Sequence, residues 1–185
     1  MKKILVALLI CLIGIGFVIV SGCSSTNSQS SGTISTSNSQ STPVKTTTTA
    51  GNINQDFSSM ALTINDLPHG WMTSGDPTIN ATRYESKFVY IGGSTGVPLT
   101  FTITKYPSVN NAKTIFSQMK SAITNVRVDS LDIGDEGLGY QEVANSAVSF
   151  RHSNLIISIS TIAYPPIEIS NLQPYAELVD SRING

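Results

Sequence analysis

Leu99-Thr100-Phe101-Thr102-Ile103-Thr104 reads LTFTIT, with apolar and hydroxyl side chains taking strict turns. Period two in β-branched and aromatic residues marks a β-strand with one buried face, so Leu99, Phe101 and Ile103 are expected to point inward. Just upstream, Tyr84, Ser86, Phe88 and Tyr90 share one parity in RYESKFVYI. The intervening Gly92-Gly93-Ser94-Thr95-Gly96 supplies the glycines that a hairpin loop requires, and the two runs are expected to pair antiparallel.

Downstream, NSAVSFR (Asn145–Arg151) and NLIISISTIA (Asn154–Ala163) form a second expected hairpin, closed through His152, Ser153 and Asn154. Val126 and Val128 start a further strand ending in the glycine-rich IGDEGLGY, while ALTI (Ala61–Ile64) and the surroundings of Trp71 are expected to add two more. Apolar residues at Val109, Ala112, Ile115, Phe116, Met119, Ala122 and Ile123 trace a helical stripe that Ser108 or Asn110 caps, and Lys113 and Lys120 fall on its wet side. Leu172, Tyr175, Ala176, Val179 and Ile183 trace a second stripe, after Pro165 and Pro166 have ended the preceding strand. The expectation is an α+β domain over residues 58–185: a twisted, mainly antiparallel sheet of about six or seven strands with two packed helices.

This order of elements, with DLPHGW (Asp66–Trp71) near the first strand and FRHSNLIISI (Phe150–Ile159) near the end, resembles exported domains of the Mog1/PsbP-like type and related prokaryotic lipoproteins. The resemblance implies a sheet flanked by helices and a binding or assembly role rather than catalysis. It carries no functional residue across.

Residues 1–22 have the layout of a secretory signal: Lys2 and Lys3, then the uncharged ILVALLICLIGIGFVIV. Val20-Ser21-Gly22-Cys23 resembles the lipobox of prokaryotic lipoproteins, in which the cysteine thiol takes a lipid and becomes the first mature residue. The alternative is an uncleaved span, since at 1.5 Å per residue the run covers about 26 Å against a hydrocarbon core of roughly 30 Å. A plain span has no use for small residues and a cysteine placed there, so lipid on Cys23 is the expected link to the membrane. Two acyl chains make a stable anchor where one does not. Cys11 lies within the apolar run, so no disulfide forms in the mature chain.

From Ser24 to Phe57 the composition turns to Ser, Thr, Asn, Gln and Gly, too poor in apolar groups to offset the entropy of ordering the backbone. Residues 23–57 are therefore expected to be a disordered tether spanning roughly 32 Å on average. Thr46–Thr49 suit either an unmodified linker or an O-glycosylated stalk. Asn80-Ala81-Thr82 is a sequon, and Asn80 is a possible N-glycosylation site.

Composition excludes some functions. The net charge is −1 and grows more acidic once Lys2 and Lys3 leave with the signal, so the basic stripe of a nucleic-acid binder is missing. Neither a Walker loop nor a strand-preceded GxGxxG occurs, and no cofactor is expected. Only His69 and His152 offer imidazoles, and the mature cysteine is committed to lipid, so no zinc site is expected. Asp129, Asp132, Asp135 and Glu136 are the densest charge, but D-S-L-D-I-G-D-E-G misses the EF-hand spacing and reads as a solvated turn. Trp71 reads as a core plug in preference to an exposed sugar or peptide platform.

Gly92–Gly96 also fits GxSxG, the nucleophile elbow, which works by a strained strand-to-helix turn. Both flanks here read as strands. The functional expectation is accordingly a non-enzymatic, membrane-tethered extracytoplasmic binding or assembly module, whose recognition loops are Gly92, Gly93, Ser94, Thr95 and Gly96 together with Asp132, Asp135 and Glu136. Its partner is an unknown extracytoplasmic protein or small molecule. The alternatives are a small hydrolase using Ser94 with His69 or His152, and a surface lipoprotein with a purely structural role.

Overall fold

A computed structural model of the chain describes residues 51–93 and 96–185. The expected signal segment, Cys23 and most of the expected tether lie outside the described residues, as do Ser94 and Thr95.

The LTFTIT run lies in β4 (Val97–Lys105), where Leu99, Phe101 and Ile103 are fully buried and the threonines between them are partly exposed. On one side β4 pairs antiparallel with β3 (Arg83–Tyr90), Phe101 lying opposite Ser86. On the other it pairs with β8 (Leu155–Ile162), Phe101 lying opposite Ile159. The remaining strands are β1 (Trp71–Thr73), β2 (Thr78–Ile79), β5 (Val128–Leu131), β6 (Glu136–Gln141) and β7 (Asn145–His152). All pair antiparallel in one eight-stranded sheet of order β1-β3-β4-β8-β7-β6-β5, with β2 beside β3. The α+β expectation therefore holds, with more strands than the sequence suggested.

One face of the sheet carries Phe88, Leu99, Phe101, Ile103, Val148, Phe150, Ile157 and Ile159, all buried. It is closed by α3 (Ile169–Asn184), whose Leu172, Ala176, Val179 and Ile183 form the expected stripe. Against α3 packs α1 (Phe57–Met60), a single turn that the sequence did not suggest. The ALTI segment is not a strand: Ala61 and Leu62 are buried in irregular backbone, and Ile64–Asp66 form a 3₁₀ turn. Its short apolar run carries no periodicity that separates strand from buried turn. Thr63 and Asp66 close the turn as a capping box, and Arg182 of α3 clamps Asp66 at 2.6 and 3.0 Å.

The other face is covered in part by α2 (Val109–Ala122), capped by Ser108, whose side chain accepts from the Asn111 amide. Ala112 and Phe116 pack there on Leu138 and Ile156. Beyond α2 this face stays open as a row of Thr100, Thr102 and Ser158 beside Glu85, which Arg83 and Lys87 flank at 2.7 and 3.2 Å.

Two boundaries differ from the sequence reading. Residues 51–57 are not spacer, since Ile53 packs against the core and Phe57 is buried in it. The glycine-rich EGLGYQ is itself strand β6 and not a turn, for a steric reason: a Cβ on Gly139 would come within 2.6 Å of the Ile169 side chain of α3. Glycine there lets helix and sheet close up.

Candidate functional site

The sheet has two ends, and the residues singled out by sequence divide between them. At one end the β7–β8 turn meets the β5–β6 loop. Arg151 leaves β7 with its side chain only 7% exposed and pairs with Asp135 at 2.7 Å and Glu136 at 3.2 Å. The Asp135 carboxylate also accepts the Ser153 amide at 2.7 Å, fixing the left-handed backbone of Ser153 at φ 55°. Ser153 then donates its hydroxyl to the Gly51 carbonyl at 2.5 Å. Asn154 accepts from the Ile53 amide at 2.8 Å and donates to the Tyr106 carbonyl at 3.0 Å. Asn52 and Asn54 add bonds to the Pro107 carbonyl and the Lys105 ammonium. This end is a polar clasp that fixes where the amino-terminal segment joins the body.

Asp135 and Glu136, expected to be recognition residues, are thus engaged internally with Arg151. The sequence showed the acidic cluster but gave no sign of its partner, which stands 15 to 16 residues further on. Among the described residues no group of three or more acidic, histidine or cysteine side chains is placed to hold a metal ion. His152 sits at the same end, its Nδ1 2.6 Å from the Asp180 carboxylate of α3. Asp66, also tied to α3, is the acid whose balance is clearest: burial opposes its charge, but hydrogen bonds from Arg182 and Thr63 hold its pKa below the ordinary value.

At the opposite end, Trp71 of β1 lies tilted against Tyr90 of β3, ring centres 5.6 Å apart. Gly70 makes this possible: its φ of +96° turns the chain, a Cβ there would strike the Tyr90 ring, and its carbonyl accepts the Ile91 amide at 2.8 Å. Trp71 is half-buried, a core plug whose edge reaches the surface. Across this same end of the sheet, from β1 to the β6–β7 turn, large apolar side chains stand in the open: Met72 is 51% exposed, Ile91 56%, Val143 79%, Ile162 65% and Tyr164 84%. They are held by ordered backbone, because the Glu142 amide bonds the Asn145 carbonyl, the Ala163 amide bonds Ala144, and Gln141 reaches the Ile167 carbonyl.

None of these five was singled out by sequence. Ile162 reads as part of the core strand Asn154–Ala163. The usable signal was position: Ile91, Val143 and Tyr164 fall just past strand ends, Ile162 is the last residue of β8, and Met72 lies in the short β1.

The hairpin residues Gly92, Gly93 and Gly96 are exposed and belong to this apolar end. The two expected recognition loops therefore lie at opposite ends of β4, separated by roughly 27 Å of strand, and do not form one surface. The same separation parts the hairpin from His152, while exposed His69 precedes Gly70 at the hairpin's own end. The segment holding Ser94 is flanked by strands β3 and β4, without the strand-to-helix turn of a nucleophile elbow. Asn80 is exposed in the β2–β3 turn, where its side-chain oxygen accepts the Thr82 and Arg83 amides at 2.9 and 2.8 Å.

Compared with family models, curated proteins and solved structures, the chain matches none.

Proposed function

We propose that this chain is a membrane-tethered extracytoplasmic binding or assembly module, an accessory lipoprotein held on the outer face of the cell membrane through lipid on Cys23. The supporting observation is the contrast between the sheet's two ends: one is committed to clasping the amino-terminal segment, and the other exposes apolar and aromatic side chains that the fold itself does not use. Several large apolar side chains exposed at one end of a small domain are consistent with an interaction surface. Gly92, Gly93 and Gly96 fall within it.

Two measurements test the reading. Mass spectrometry of the mature protein from its own membrane is expected to find Cys23 amino-terminal and lipidated, and an unmodified Cys23 ends the lipoprotein reading. The purified chain is expected to turn over no ester, peptide or glycoside. Hydrolysis that vanishes in Ser94→Ala replaces the binding module with a hydrolase.

A further inference from the structure

We propose that the apolar end of the sheet docks on the bilayer to which the chain is tethered, with Met72, Ile91, Val143, Ile162 and Tyr164 dipping into a zwitterionic lipid surface. This deepens the reading above and rests on its tethered geometry.

The five side chains come from four separate segments of chain: β1, the β3–β4 hairpin, the β6–β7 turn, and the end of β8 with its following loop. Across residues 68–73, 90–93, 96–98, 142–146 and 161–167 there is no Lys or Arg, and Glu142 is the one carboxylate. That composition has nothing to offer an anionic surface but suits a zwitterionic one, where shallow insertion needs apolar area together with an aromatic that keeps its polar tip wet. A stable protein interface draws on roughly 20 to 30 residues a side in close shape complementarity. Five projections from four separate segments are too few for that, yet a fluid lipid surface moulds itself to them.

The chain before Gly51 makes the contact geometrically available. About 30 residues separate the end of the apolar run from Gly51, and fully extended they reach roughly 100 Å. The sheet they must pass is about 27 Å long. Joining at the clasped end therefore does not hold the apolar end away from the membrane. Attachment to the same surface also makes docking an intramolecular event at an effective concentration in the millimolar range, so a contact too weak to recruit a free protein suffices.

The sole tryptophan, Trp71, precedes Met72 in β1, lies against the Tyr90 ring and reports on this end without labelling. The full chain is reconstituted into phosphatidylcholine vesicles with plain or brominated acyl chains, floated on a density gradient, and its emission recorded. The expected result is a chain that floats and loses Trp71 emission in brominated lipid. The double variant Ile162→Ser/Tyr164→Ser floats without that loss, whereas Ile79→Ser, an exposed apolar change away from this end, keeps it. A floating chain whose emission is the same in both lipids overturns the docking, as does a loss that persists in the double variant. A chain that does not float overturns the tethered reading and the docking with it. A photoreactive side chain at position 164 is expected to cross-link to lipid in the native membrane, and cross-links to protein instead would give this end to a protein partner.

Discussion

Where Gly51 joins the body, the sheet end is built from charges and amides that engage one another: Arg151 pairs with two carboxylates through its terminal nitrogens, Ser153 with Asp135 and Gly51, and Asn154 with Ile53 and Tyr106. Where β8 runs out, the other end is built from Ile, Val, Met and Tyr side chains that meet few neighbours. Both ends are capped by the same strands and share one core. The difference teaches that polarity alone is a poor guide to function here, since the charged loop is the structural one and the greasy loops are the free ones. A buried guanidinium must be paired to be tolerated, so its carboxylates have no freedom to serve a ligand. An exposed isoleucine has no such obligation.

The comparison breaks first at the shared core. Phe101→Ala should cost about 3 to 5 kcal/mol and Thr102→Ala less than about 1. In Phe101→Ala, urea unfolding followed by Trp71 emission at one end and by amide exchange of Asn154 at the other should shift together. If only one probe moves, the two ends do not share a cooperative unit.

Removing the clasp's centre separates the ends. Arg151→Ala should cost about 2 to 3 kcal/mol, less than for a fully buried pair because Asp135 and Glu136 keep about a third of their surface in water. Exchange of the Ser153 and Ile53 amides should quicken while native Trp71 emission stays the same. Asn154→Ala, which leaves the Ile53 amide and the Tyr106 carbonyl unanswered, should cost about 1 to 2 kcal/mol and loosen the same residues. Were exchange to rise equally near Trp71, the clasp would not be a local device.

Acid sharpens the contrast further. Because the folded-state pKa of Asp66 lies below its ordinary value of 3.8, its contribution is fully present above that pH and is lost as pH falls through the folded value. Asp66→Asn should flatten the fall of stability below about pH 4, measured by thermal unfolding across pH. Smallest of all, Ile162→Ser with Tyr164→Ser should move stability by no more than about 0.5 kcal/mol for each change, since neither side chain is buried. A large loss would mean that the apolar end serves the fold after all.

Much of the architecture was written in local pattern. The alternation of LTFTIT gave β4 its inner face, and the stripes ending at Ile123 and Ile183 gave α2 and α3. What escaped was whatever depended on a distant neighbour. EGLGYQ looked like a turn because glycines signal turns, while the reason for Gly139 is Ile169 on a helix thirty residues later. Ala61 and Leu62 looked like part of a strand because a short apolar run without periodicity suits either state, and in the fold both are buried in irregular backbone. The acidic loop was legible as charge and illegible as a clasp, because Arg151 carries no mark in sequence of being turned inward. The apolar end was illegible for the converse reason, that nothing in Ile162 or Tyr164 says the sheet stops beside them.

The clasp also decides how the body bears load. Ser153 and Asn154 sit in the turn joining β7 to β8, and β8 is the middle strand of the seven in the main order. A pull arriving along the amino-terminal segment is handed to the centre of the sheet and not to an edge strand, so several rows of backbone bonds share it as shear instead of opening one by one. Under the tethered reading proposed above, that placement puts the central strands in line with the pull.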